Sequence, residues 1–144
     1  MTDRVTRRTF VKRLPVLGAA ASLAASSGCA SLRYAIPRED GDRIAVGRAE
    51  FDTGDYVLVE TTRSSRPLYV HRGEDGDFTA VLAECTHRQC QPEPQGDRLA
   101  CPCHGSEFSH SGEVLQGPAD RSLPRFEVEA TADTVTVWWS RRTG

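Results

Sequence analysis

Two short stretches hold most of the chemistry in this chain. CTHRQC runs from 85 to 90 and CPCHGS from 101 to 106. Together they contain four of the five cysteines, Cys85, Cys90, Cys101 and Cys103, and two of the four histidines, His87 and His104. Thiols and imidazoles gathered this densely bind a metal, form disulfides, or do both. Two disulfides would use every thiol and leave the histidines unexplained. Zinc accepts both residue types, but common zinc modules pair C-x2–4-C with H-x3–5-H. Here Cys85 is separated from His87 by one residue, and Cys103 directly precedes His104, which suits one small ion poorly. The set divides evenly if each stretch gives one cysteine and one histidine. Cys90 and Cys103 are then left over, one per stretch, and can join in an oxidising compartment.

CTHRQC and CPCHGS resemble the paired boxes of the Rieske iron–sulfur proteins. GEVLQGPADRSLPRFEV, from 112 to 128, resembles the stretch after that family's second box. The likeness covers roughly residues 43–140. It implies an all-β fold class, a Rieske-type antiparallel β domain with two cluster-binding loops, and one [2Fe–2S] cluster. Cys85 and Cys101 would hold the buried iron, and His87 and His104 the outer one. Cys90 and Cys103 would form a disulfide across the loops. Neutral imidazoles in place of two thiolates bring the oxidised cluster to zero charge, whereas an all-cysteine cluster keeps a double negative charge. An electron is added more easily to the neutral cluster, and Rieske potentials span about −150 to +300 mV.

The resemblance also implies tuning. Ser106 sits where high-potential members donate a hydroxyl hydrogen bond to a cluster sulfide. Two residues on, those members carry a tyrosine whose hydroxyl bonds a ligand sulfur; here the residue is Phe108. One bond that favours the reduced cluster is missing, so a lower potential is expected.

Relatives with this disulfide include subunits of quinol–cytochrome c reductases and cytochrome b6f, whose first box reads CTHLGC. Arg88 and Gln89 replace the leucine and glycine here, and a charged side chain beside His87 argues against a quinol pocket. Asp120, in GPAD, departs from the usual GPAP. The favoured function is one-electron transfer by a small exported protein. Its partner would be a c-type cytochrome or a membrane or periplasmic oxidoreductase. The alternative is a subunit of a quinol–cytochrome c reductase-type or arsenite-oxidase-type complex, and a lesser one a thiol redox sensor at Cys90 and Cys103. A catalytic reading lacks residues. His71 and His110 are the remaining histidines, and no pair of histidines with a carboxylate stands out.

These loops need a scaffold. RIAVG from Arg43, DYVLVET from Asp55, PLYVHR from Pro67 and FTAVLAE from Phe78 carry apolar, β-branched or alternating residues typical of strands. GEDGD from Gly73 is a turn, and a short strand is expected at Arg98–Ala100. RFEVEATADTVTVWWS, from 125 to 140, reads as a closing hairpin around Thr131–Asp133. Adjacent Trp138 and Trp139 face opposite ways on a strand, one to the core. The cluster domain is expected over 42–142. Residues 31–41, with Pro37 and no apolar period, read as a linker.

Residues 1–30 read as an address. TRRTFVKR, from 6 to 13, precedes a 12-residue apolar run, shorter than the roughly 20 residues of a membrane-spanning helix. Arg7 and Arg8 resemble a twin-arginine export signal. SSGCA resembles a lipoprotein box with Cys29 as the acylated residue, although Ser26 stands where an aliphatic residue is usual. A signal peptide, a lipid anchor or a signal-anchor all place the protein outside the cytoplasm, at the membrane or in the periplasm. After residue 30 the chain has 13 basic and 19 acidic groups. That balance excludes a nucleic-acid partner and suits a basic docking face.

Overall fold

The structure, a computed structural model, describes residues 31–143. The export and lipidation readings, including Cys29, fall outside the described residues. Among the described residues no helix is long and apolar enough to cross a membrane.

The strand-like runs form strands where expected: β3 (Arg43–Gly47), β4 (Tyr56–Val59), β5 (Leu68–Arg72), β6 (Phe78–Leu82), β8 (Arg98–Ala100), β11 (Arg125–Ala130) and β12 (Thr134–Arg142). The 31–41 stretch is not a bare linker. It supplies β1 (Tyr34–Ala35) and β2 (Arg38–Asp40), each too short to show a period. All eight large-sheet strands are ordered β1-β4-β5-β6-β11-β12-β3-β2, antiparallel except for the β1–β4 pair. Consecutive β1 and β2 lie at opposite ends of this order, with only Ile36 and Pro37 between them. The sheet must therefore curl until its edges meet. Glu39 fastens the seam, its two carboxylate oxygens accepting from Thr62 N–H at 2.9 Å and Thr62 Oγ1 at 2.8 Å. Those bonds hold the Glu39 carboxyl below its usual range.

Alternation along the strands sends one set of side chains inward. Ile44, Val46, Val57, Val70, Val135 and Val137 are buried there with Phe51 and Phe126. At about 25 cal/mol per Å² this burial is the main favourable contribution to folding. Trp139 stacks on Phe126 with ring centroids 5.0 Å apart, while Trp138 lies on the other side beneath the Arg141 guanidinium at 4.0 Å.

Residues 83–124 leave the large sheet after β6 and return at β11. Those two strands are direct neighbours, Val81 opposite Arg125 and Ala80 opposite Phe126. The excursion builds a second sheet ordered β10-β9-β8-β7, from β7 (Glu93–Gln95), β8, β9 (Glu107–Phe108) and β10 (Val114–Gln116). Proline hid β7 in the sequence. Pro94 is tolerated because β7 is an edge strand, whose outer N–H positions need no partner. A second core of Leu58, Tyr69, Val81, Leu99, Phe108 and Leu123 forms beneath this sheet, and Cys85 and Cys101 belong to it.

Candidate metal centre

The two boxes fold alike. In the first, Cys85 N–H donates to the Cys90 carbonyl at 2.8 Å and Gln89 N–H to the Cys85 carbonyl at 2.7 Å. In the second, Cys101 N–H donates to the Ser106 carbonyl at 2.8 Å and Gly105 N–H to the Cys101 carbonyl at 3.0 Å. Each loop thus closes through equivalent positions, and each has a left-handed residue at its fifth, Gln89 (φ 59°) and Gly105 (φ 75°). Glycine takes that conformation without steric penalty; glutamine does not.

A third segment straps both loops. Thr86 Oγ1 donates to the Arg121 carbonyl at 2.6 Å, and Gln116 Nε2 donates to the Gly105 carbonyl at 3.3 Å. Ser106 Oγ accepts from Ala119 N–H at 3.0 Å. The strap lies within the 112–128 stretch singled out in the sequence, but the hydrogen bonds by which it holds both loops are not marked there.

These bonds sort the chemical groups by depth. Cys85 and Cys101 are 1 % and 3 % exposed. His87 is half-buried and His104 exposed, their rings edge-on at 87° with centroids 4.8 Å apart. Cys90 and Cys103 are joined in a disulfide, with Cα atoms 6.5 Å apart. The sulfurs of Cys90, Cys101 and Cys103 lie within 4.8 Å of one another, but the bonded pair has no thiolate to offer, so they are no ligand set. Burial pushes the Cys101 thiol up, and neighbouring Cys85 pushes the same way, while the N–H groups of Cys103 and His104 oppose them by donating to the Cys101 sulfur.

Three features fit an iron–sulfur group. Two free thiols face each other in an apolar core, where thiolates need a cation. His87 Nδ1 is buried with no hydrogen-bond partner, as a metal-directed nitrogen would be. Ser106 is fully buried, and its oxygen is engaged by Ala119 while its proton remains to be given. Phe108 is fully buried in the same core as Cys85 and Cys101.

His110 and His71, which the sequence does not link, are brought together beside Tyr69, itself a member of the core that holds Cys85 and Cys101. Their rings stack at 3.9 Å, and Tyr69 Oη lies 2.7 Å from His110 Nδ1. Burial holds the Tyr69 hydroxyl protonated, so it donates. Burial, and then the proximity of His110, lower the His71 pKa to about 4, with Asp55 opposing at 3.9 Å from His71 Nε2. Burial lowers His110 too, against Asp55 and Asp97. An unfolded histidine takes up a proton near pH 6.5, but folded His71 does so only near 4. This contribution to stability is therefore complete above pH 6.5 and is lost as pH falls towards 4. Urea midpoints across that window should fall less steeply in His71→Phe than in the parent; parallel curves would contradict the assignment.

A curled β domain carrying a thiol-and-imidazole pocket between two strapped loops is the architecture of an iron–sulfur electron-transfer module. The family model for the Rieske [2Fe-2S] domain matches residues 43–127. The cytochrome b6-f complex iron-sulfur subunit of Chlorobaculum tepidum is 29 % identical over 137 residues, covering 91 % of this chain and 74 % of that protein. The subunit of the same name from Prochlorococcus marinus (strain CCMP1986) is 38 % identical over 98 residues, covering 64 % and 54 %. Among solved structures, the plasma membrane Rieske protein PetC3 from Synechocystis PCC 6803 matches at 32 % identity with a TM-score of 0.57, covering 63 % of this chain and 93 % of that one. The chain belongs to the Rieske family, and its cofactor is a [2Fe–2S] cluster.

Proposed function

We propose that Cys85 and Cys101 hold the inner iron and His87 and His104 the outer iron of a one-electron carrier working outside the cytoplasm. The cluster, when bound, takes up and gives back a single electron. The observation that carries this assignment is the gradient of exposure, from thiols at 1 % and 3 % to an exposed His104. Electrons would leave at the imidazole edge, and burial would keep water from the two cysteine sulfurs. The disulfide and strap hold both loops so that the ligands need not reorganise between redox states. EPR of the reduced holoprotein tests this reading: a rhombic signal of lowered average g supports it, and bound zinc without iron sinks it.

Exported by a twin-arginine signal and held at the membrane by that segment or by a lipid at Cys29, the protein would exchange electrons with a c-type cytochrome or a membrane or periplasmic oxidoreductase. A subunit role is the second reading, favoured by the b6-f complex iron-sulfur subunits among the relatives. Arg88 and Gln89 beside His87 weigh against quinol contact in that role. Purification from the native membrane separates the two: a stable complex containing a cytochrome b supports the subunit.

Ser106 and Phe108 set the potential. Phe108→Tyr adds a hydroxyl within the core that holds Cys101. One hydrogen bond favouring the reduced state by about 0.5–1.5 kcal/mol raises the midpoint by roughly 20–65 mV. Ser106→Ala should lower it by a similar amount. Voltammetry of both variants checks the pair; an unchanged or lowered midpoint in Phe108→Tyr would contradict the role given to that position.

A further inference from the structure

The net charge of the domain hides a local reversal. After residue 30 there are 13 arginines and 19 acidic groups. The three segments surrounding the imidazole edge, 85–91, 101–106 and 115–122, carry two of those arginines, Arg88 and Arg121, and one acid, Asp120. The remainder has 11 arginines against 18 acids. The side chains of these three segments thus sum to +1, where those of the remainder sum to −7.

Both cations are presented outward. Arg88 directly follows His87, is exposed, and has no carboxylate within ion-pair distance among the described residues. Arg121 is tied to the same loop through Thr86, which donates to its carbonyl at 2.6 Å. Its side chain lies 3.8 Å from Asp120, but at 76 % and 89 % exposure this pair is screened by water and leaves the guanidinium available. Gln89 adds a third polar group. It is exposed in the left-handed conformation (φ 59°), so the loop carries a side chain at a backbone cost of about 1 kcal/mol. Leu115, 57 % exposed, provides an apolar contact next to Gln116, whose amide holds Gly105.

We propose that this edge docks an electron-transfer protein whose own redox edge is acidic, with Arg88 and Arg121 as the anchoring cations. The proposal rests on electron transfer through His87 and His104. It reverses the basic partner face that net charge alone suggests. Charge beyond the Debye length, about 10 Å at 0.1 M salt, is largely screened, so groups beside the histidines govern the final encounter. The distant acids would instead turn the positive edge towards a negative partner.

The test uses the full-length holoprotein, its reduced EPR signal recorded first. Stopped-flow oxidation is then followed with an acidic and a basic c-type cytochrome of matched potential, from about 100 to 500 mM salt, where the Debye length is about 10 Å or less. The rate with the acidic cytochrome should fall as salt rises. Arg88→Gln and Arg121→Gln should each lower it about threefold to tenfold at low salt, and flatten its salt dependence. A rate that rises with salt, or variants that match the parent, would overturn the docking proposal while leaving the cluster reading intact. Absence of the EPR signal would overturn electron transfer itself, and docking with it. Arginine-dependent sedimentation with phosphatidylglycerol vesicles, without any effect on the cytochrome rates, would replace the protein partner by a lipid surface.

Discussion

Cys101→Ser and Cys85→Ser should each abolish the cluster, whereas Cys90→Ala combined with Cys103→Ala should leave it bound. All four cysteines belong to the same two loops, yet their environments differ. Cys85 and Cys101 are free and buried in the second core, and the Cys101 sulfur receives two backbone N–H groups. A serine there offers a poor iron ligand in an apolar site. Iron content and the reduced EPR signal should fall to background. The double alanine variant removes a clamp across 13 residues of sequence. Loop-closure entropy puts that at about 3 kcal/mol, a fall of roughly 10–20 °C in Tm for a domain of this size. Its iron content should stay near one cluster per chain. Loss of iron there, with retention in Cys101→Ser, would invert the division of roles.

Gly112→Ala should cost about 2–5 kcal/mol, read as a shift of the urea midpoint. Gly112 has φ 87°, where a side chain is strained. A Cβ would also meet Val81 Cγ1 at 3.0 Å, Leu123 Cβ at 3.1 Å and the Leu123 carbonyl at 3.3 Å. Val81 and Leu123 are core residues beneath the cluster loops, and Leu123 N–H donates to the Gly112 carbonyl at 2.8 Å. Overpacking adds about 1–3 kcal/mol to the backbone penalty. Gly76→Ala is the control. Its φ is 84°, but nothing lies within 4 Å of the added Cβ, so only the backbone penalty of about 1–2 kcal/mol applies. Equal losses in the two variants would refute the packing argument.

The chemistry was more legible than its support. The cysteines and histidines that the sequence singles out lie in two contiguous stretches, 85–90 and 101–106, and the resemblance to a known family, more than spacing, assigns their roles. Strands with an alternating apolar face were equally plain, and the closing hairpin turned at Thr131 as read, with Thr131 N–H donating to the Thr134 carbonyl at 2.8 Å. Residues 31–41 read as a linker because two or three residues cannot display a period; the strand character of β1 and β2 comes from pairing with distant partners. His71 and His110 stack across 39 positions, on separate elements, and nothing local marks that. Net charge is a sum over the whole chain, so it does not mark that exposed Arg88 and Arg121 sit on the two segments beside His87.

The excursion over 83–124 begins and ends on neighbouring, hydrogen-bonded strands, Leu82 N–H donating to the Pro124 carbonyl at 2.8 Å. The redox-active portion is thus a cassette plugged into one rung of a barrel-like frame. A tight turn from β6 to β11 would preserve the frame's strand register. Exchange of the cassette would give a new potential and docking edge on the same frame. Conversely, an unrelated antiparallel pair with a matching gap could accept it, provided the host supplies the apolar floor that Leu58 and Tyr69 provide here.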